Sequence, residues 1–205
     1  MSISGHATLA GLACGLLLAA WGCADLRSFI TTEWSENYAL SSLGSEASHP
    51  ALNDGNVETV GETPVKARPR ELTILLPEPR RIRRILITND NLYYFSIDYW
   101  DASREQWRTL KQVWQRRDVE GRERVVQPIF EVTRVNFETD RIRLRVTRTV
   151  DDIIVSKVVP EPDDKIVDRV RKVVAGSWVE YYRVWIESPA RVREIQLFGV
   201  LPNTG

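Results

Sequence analysis

The sequence concentrates oxygen ligands at one turn, Asp54-Gly55-Asn56. Hard cations such as calcium need several oxygens at about 2.3–2.6 Å, drawn from carboxylates, amides and backbone carbonyls. A tight Asp-Gly-Asn turn can point such oxygens inward because glycine permits the backbone reversal. The same residues also make an ordinary Asx turn that holds no metal. A second polar concentration, Asn89-Asp90-Asn91-Leu92-Tyr93-Tyr94, joins amides and a carboxylate to aromatic rings. That mixture suits a sugar, with a ring face against its apolar side and polar groups on its hydroxyls. Strand alternation sends one of the two adjacent tyrosines into the core. Arg80, Arg81, Arg83 and Arg84 form a cluster, and Arg141, Arg143 and Arg145 a stripe. They suit bidentate anion recognition or, more simply, a solvated face that discourages edge pairing.

Catalytic chemistry finds little to build on. His6 and His49 are the two histidines, and only His49 follows the N-terminal apolar run, so a Ser-His-Asp arrangement would have to use it. The sequence has no Gly-x-Ser-x-Gly elbow, no phosphate-binding glycine loop and no His-Glu-x-x-His. Both cysteines, Cys14 and Cys23, lie near the N-terminus, which leaves the rest without a disulfide, a cysteine zinc site or a thiol nucleophile. With 28 basic and 28 acidic residues the formal net charge is zero, so nucleic acid is not an expected partner. The composition points to a binding protein and not to an enzyme.

The elements that must position these groups are short apolar runs between turn signals, from Glu71 onward. Runs are expected at 72–76, 82–88, 95–100, 107–114, 132–137, 141–147, 182–186 and 192–200, the first stopped by Pro77-Glu78-Pro79. Arg141-Ile142-Arg143-Leu144-Arg145-Val146 alternates cleanly, with Ile142, Leu144 and Val146 inward and the arginines in water. Trp100, Trp107 and Trp185 lie in strand patterns, as core or sheet-surface residues and not as ligand platforms. The class is all-β, an antiparallel sandwich or barrel. Residues 151–176 break the rhythm and read as an insertion. There Ile166, Val167, Val170, Val173 and Val174 share one helical face, with Asp163 and Asp164 before it and Gly176 after it. A short helix is expected; a strand pair is the competing reading, since valine and isoleucine favour sheets.

Residues 9–21 are an unbroken run of apolar and small residues, of signal-peptide length and short for a bilayer. It leads into Ala20-Trp21-Gly22-Cys23, which is similar to a bacterial lipobox. The expected organisation is a signal peptide at 1–22, a lipidated Cys23 and linker at 23–34, a sandwich at 35–201 and a tail at 202–205. The chain is then exported to a bacterial envelope, as an outer-membrane lipoprotein anchored in the membrane by its lipid. A plain secretory signal, giving a secreted or periplasmic protein, and an uncleaved anchor are the alternatives.

The stretches SEASHPALNDGNVET (45–59), LTILLPEPRRIRRILITND (72–90), FSIDYWDASREQWRTL (95–110) and VREIQLFGV (192–200), in that order and spacing, resemble the discoidin domain. This domain, also called the coagulation-factor type C domain, is one of the galactose-binding-like jelly rolls, which include many bacterial carbohydrate-binding modules. The resemblance implies a structural calcium ion held by Asp54, backbone groups near Asn56, Thr59 and Glu194. It also implies a ligand surface of loops at one end: Asn89, Asn91, Tyr93 and Tyr94, with the loops around His49 and Trp178. The partner is then a glycan; the alternative is an envelope protein docked by the 151–176 insertion. Two departures stand out: Gly61 replaces a family tryptophan, and the insertion has no counterpart.

Overall fold

The computed structural model describes residues 33–114 and 127–201. The expected signal peptide, the lipidation site Cys23 and the 202–205 tail lie outside the described residues. Residues Ser35–Gly199 form one compact unit. The neighbouring described residues make a separate short pairing, in which Trp34 bridges Val200.

Among the described residues twelve strands follow in order, with two short 3-10 turns at Ser41–Leu43 and Pro50–Leu52. They are β1 (Glu46–Ala47), β2 (Gly61–Glu62), β3 (Arg70–Ile82), β4 (Arg84–Asn89), β5 (Leu92–Asp101) and β6 (Gln106–Trp114). Then come β7 (Ile129–Val132), β8 (Phe137–Thr149), β9 (Ile153–Lys157), β10 (Lys165–Val174), β11 (Ser177–Ile186) and β12 (Arg191–Phe198). A five-stranded sheet β1-β3-β8-β5-β6 faces a four-stranded sheet β2-β12-β4-β7, and every pairing is antiparallel. This is the all-β sandwich that the alternating runs imply.

Period-2 patterning builds the core. Leu72, Ile74 and Leu76 of β3, and Ile142, Leu144 and Val146 of β8, point inward against Ile85 and Ile87 of β4 and Ile195 and Leu197 of β12. Phe95 meets Phe130 edge to face across the two sheets at 5.3 Å. Each such side chain, fully buried, contributes about 1.5–3 kcal/mol.

Three boundaries differ from the sequence expectation. Strand β3 continues through Pro77 and Pro79, because the ladder shifts register between Leu75 and Arg80. A bulge asks no ladder hydrogen bond of a proline, so the prolines are tolerated without ending the strand. The expected strand at 132–137 spans the end of β7, the loop at 133–136 and the start of β8. The 182–186 run does not close the sandwich; it belongs to a third sheet.

That third sheet, β10-β11-β9, replaces the expected helix. The apolar residues of 166–174 are all β-branched and pair across a hairpin, Val173 opposite Trp178 and Val170 opposite Tyr181. β-branched side chains crowd a helix and pack well on a pleated surface. Ala175 and Gly176 close the hairpin with φ of 49° and 80°, the two left-handed residues of a tight turn that matches strand twist.

The extra sheet is fastened to the sandwich by a buried ion pair. Arg70 donates to both oxygens of Asp152, at 2.8 and 3.1 Å, and also to the carbonyls of Ser188 and Thr147. Asp152 further accepts from Thr149 N, Thr149 Oγ1 and Ser188 N. Burial pushes the Asp152 carboxyl up, but these donors outweigh it and hold it below the usual carboxylate range.

Candidate functional site

The expected metal residues come together. Asn56 N donates to Asp54 Oδ1 at 2.8 Å, which closes the Asx turn. Thr59 Oγ1 lies 2.8 Å from Asp54 Oδ2 and 2.7 Å from the Asn56 carbonyl oxygen. One hydroxyl hydrogen serves one of these two acceptors, so the cluster is richer in lone pairs than in protons. Glu194, from β12, is 1% exposed, and its Oε1 has no hydrogen-bond partner. Burial raises its carboxyl above the ordinary value and the charge of Asp54 adds to this, while a hydrogen bond with Gln196 acts the other way. A buried carboxylate oxygen left without a donor is costly, and a hard cation would relieve it. The donor set therefore fits calcium, although among the described residues no group of three acidic, histidine or cysteine side chains is gathered.

The expected sugar residues are not assembled into one site. His49 caps the Pro50–Leu52 turn, its Nδ1 accepting from Ala51 N at 3.3 Å, beside Gly61. A Cβ on Gly61 would come within 2.8 Å of Leu52, so the glycine is a packing requirement there. Asn89 is buried and joins Leu92 and Gln127 through backbone bonds. Asn91 is buried too, holding Asp151, Pro189 and Arg191. Both amides are buried and spend their hydrogen bonds within the protein, around the β4–β5 connection. Tyr93 lies in the core, and Tyr94 faces outward against Trp114 at 4.9 Å. Trp178 is 74% exposed on the β10–β11 hairpin, apart from the β4–β5 connection.

The end of the sandwich where these loops were expected does carry a cleft, built by other residues. It has a volume of about 310 Å³ and lies between the segment preceding β3 and the extra sheet. Trp185 and Ile186 supply its apolar wall. Its polar wall is a set of paired charges. Lys66 meets Asp163 at 3.1 Å, Arg68 meets Glu187 at 3.0 Å, and Lys157 meets Asp164 at 2.8 Å. The Lys157 ammonium holds the Asp164 carboxyl below its usual range, helped by the Glu161 N–H. Arg148 lies over the Trp185 ring at 4.5 Å and Lys165 at 5.2 Å.

Sequence reasoning missed this cleft because Lys66, Lys157 and Trp185 come from three separate segments and share no period. It also placed Arg143 in water. In the structure Arg143 is largely covered, lies over Trp107 at 4.3 Å and reaches Asp98 at 3.1 Å.

No family model matches the sequence, and no curated protein does. Among solved structures the chain is similar to three carbohydrate-binding modules. One is the family 32 module of NanJ from Clostridium perfringens, determined with galactose, with 14% identity over 80% of this chain and 98% of that one and a TM-score of 0.47. Another is chitosan-binding module 1 of a chitosanase/glucanase from Paenibacillus sp. IK-5, with 14% identity, 80% and 100% coverage and a TM-score of 0.48. The third is the family 32 module of EndoD from Streptococcus pneumoniae, with 13% identity, 78% and 97% coverage and a TM-score of 0.46. At these identities the likeness is one of fold.

Proposed function

We propose that this domain is a non-catalytic binding module that takes a neutral sugar in the cleft beside the extra sheet. The cleft itself carries the reading. At about 310 Å³ it is at the lower end of small-ligand sites. It sets an indole beside lysines and carboxylates that already neutralise one another. Such a wall has no net charge with which to select an ion, yet it offers donors and acceptors to every hydroxyl of a sugar. Lys165, half exposed and paired with Glu187, lies over the Trp185 ring at 5.2 Å. Calcium is proposed at Asp54, Asn56, Thr59 and Glu194, where it would tie the turn to β12 and supply no chemistry to the ligand.

Screening the purified protein against a broad panel of glycans tests this reading. Binding of a defined sugar that falls at least tenfold in Lys157→Ala and Lys66→Ala, with unchanged melting temperature, supports it. A blank panel with well-folded protein overturns it.

A second reading rests on the exposed apolar residues of the extra sheet and its β9–β10 connection, among them Val159, Val173 and Trp178. They suit contact with an envelope protein. A cross-linked partner lost in Trp178→Ser, while sugar binding persists, would favour that reading.

A further inference from the structure

A β-bulge in β12 lies beside the proposed calcium site. The pairing of β12 with β4 shifts register between Val192 and Glu194, so Arg193 is an extra residue with no partner in β4. Glu194 and Ile195 are consecutive and both buried, whereas a regular strand alternates. Bulges re-aim side chains. Here the bulge turns Glu194 inward and sends Arg193 across the outside to two acceptors. Arg193 donates to the Val57 carbonyl, within the calcium turn, at 3.3 Å and to Asp90 Oδ1 at 3.1 Å.

From Asp90 the contacts run on to the cleft. The other Asp90 oxygen accepts from Arg191 Nε at 2.7 Å, and the same guanidinium donates to Asp151 Oδ2 at 2.9 Å. The Asp151 carbonyl accepts from Ser188 Oγ at 3.0 Å. Ser188 follows Glu187, which lines the cleft and holds Arg68 and Lys165. Two arginines and two aspartates thus form one line of charge-assisted bonds, each charge facing its opposite. Single pairs of this kind are weak at a surface, but a contiguous network couples its ends when one of them has two arrangements.

The end with two arrangements is the turn. Its own bonds, Asn56 N to Asp54, Glu58 N to Asn56 and Thr59 to Asp54 and Asn56, are local and exposed. Bonds of that kind open at low cost. A cation shared by the turn and Glu194 would hold the turn against β12, and with it the Val57 carbonyl that Arg193 needs.

We propose that Arg193, Asp90, Arg191 and Asp151 form a strap through which calcium at the turn steadies the wall of the cleft. The proposal rests on the calcium site proposed above and not on the identity of the cleft's ligand. A wall held still beforehand loses less freedom on binding, so calcium at one end raises affinity at the other.

Hydrogen exchange of the purified protein, in calcium and in chelator, tests it. Calcium is expected to slow exchange in 54–59 and also, by roughly fivefold or more, in 150–157 and 186–190. Cutting the strap in Asp90→Ala or Asp151→Ala should keep the first effect and abolish the second. Both variants retain every proposed metal ligand. A general stabilisation of the fold by calcium would persist in them, so loss of the second effect isolates the strap. Slowing confined to 54–59 in the parent chain overturns the strap and leaves the calcium site standing. Slowing in 150–157 and 186–190 that survives both cuts overturns it as well. No effect of calcium on 54–59 removes the site and the strap together.

Discussion

Glu194 concentrates the physics of the proposed metal site in one carboxyl group. Without a cation its Oε1 is buried and unpartnered, and burial raises its pKa above the ordinary carboxyl value, with Asp54 adding to the rise. The folded state therefore holds the proton more tightly than the unfolded chain. The contribution of Glu194 to metal-free stability is greatest at pH values below the ordinary carboxyl range, and it falls as pH rises through the raised value. Calcium inverts this, because the ion favours the carboxylate. Glu194→Gln should therefore be more stable than the parent chain in chelator and less stable in calcium, each by about 1–3 kcal/mol. Thermal melts of both proteins with calcium and with chelator check the crossover, and a calcium-independent melting temperature in the parent chain would sink it. The turn at Asp54 was legible in the sequence because a turn keeps its polar groups adjacent. The cleft was not, because the chain brings Lys66, Lys157 and Trp185 together only through the extra sheet.

The strands of the sandwich and the extra sheet differ in what holds them. The sandwich strands have a shared apolar core, and their alternation, as in Ile142, Leu144 and Val146, could be read directly. In the hairpin of β10 and β11 no residue of β10 is buried and only Val184 of β11 is, and the run of valines and isoleucine in β10 fits a helical face as well as a bulged strand. The decisive residue, Ala175, gave no warning, because alanine is not a turn signal. Ala175→Gly removes the left-handed strain at φ 49° and should stabilise the hairpin by about 1 kcal/mol, seen as slower hydrogen exchange in β10 and β11. The base of the sheet depends on the buried pair of Arg70 and Asp152. Asp152→Ala leaves the guanidinium buried without its charge partner and should cost about 3–5 kcal/mol in denaturant unfolding. Since donors hold the Asp152 pKa low, its contribution is present at neutral pH and lost as pH falls through that lowered value. A loss below 1 kcal/mol would mean that the pair does not fasten the sheet.

At the scale of the whole sandwich, the two ends have different duties. The chain enters at Ser35, whose N–H meets Gly199 just past the end of β12. The cleft lies at the opposite end, where β3 and β12 begin and where Arg68 and Glu187 pair. If Cys23 is acylated, as the run before it leads one to expect, Cys23→Ser should move the protein from the membrane fraction to the soluble fraction while leaving its sugar affinity unchanged, since the residues lining the cleft begin at Lys66. Fractionation of cells carrying each form, followed by the same binding assay, measures both at once. Retention of the variant in the membrane would assign the anchor to the apolar run itself. A fall in affinity with the released form would show that the membrane takes part in binding and that the two ends do not act separately.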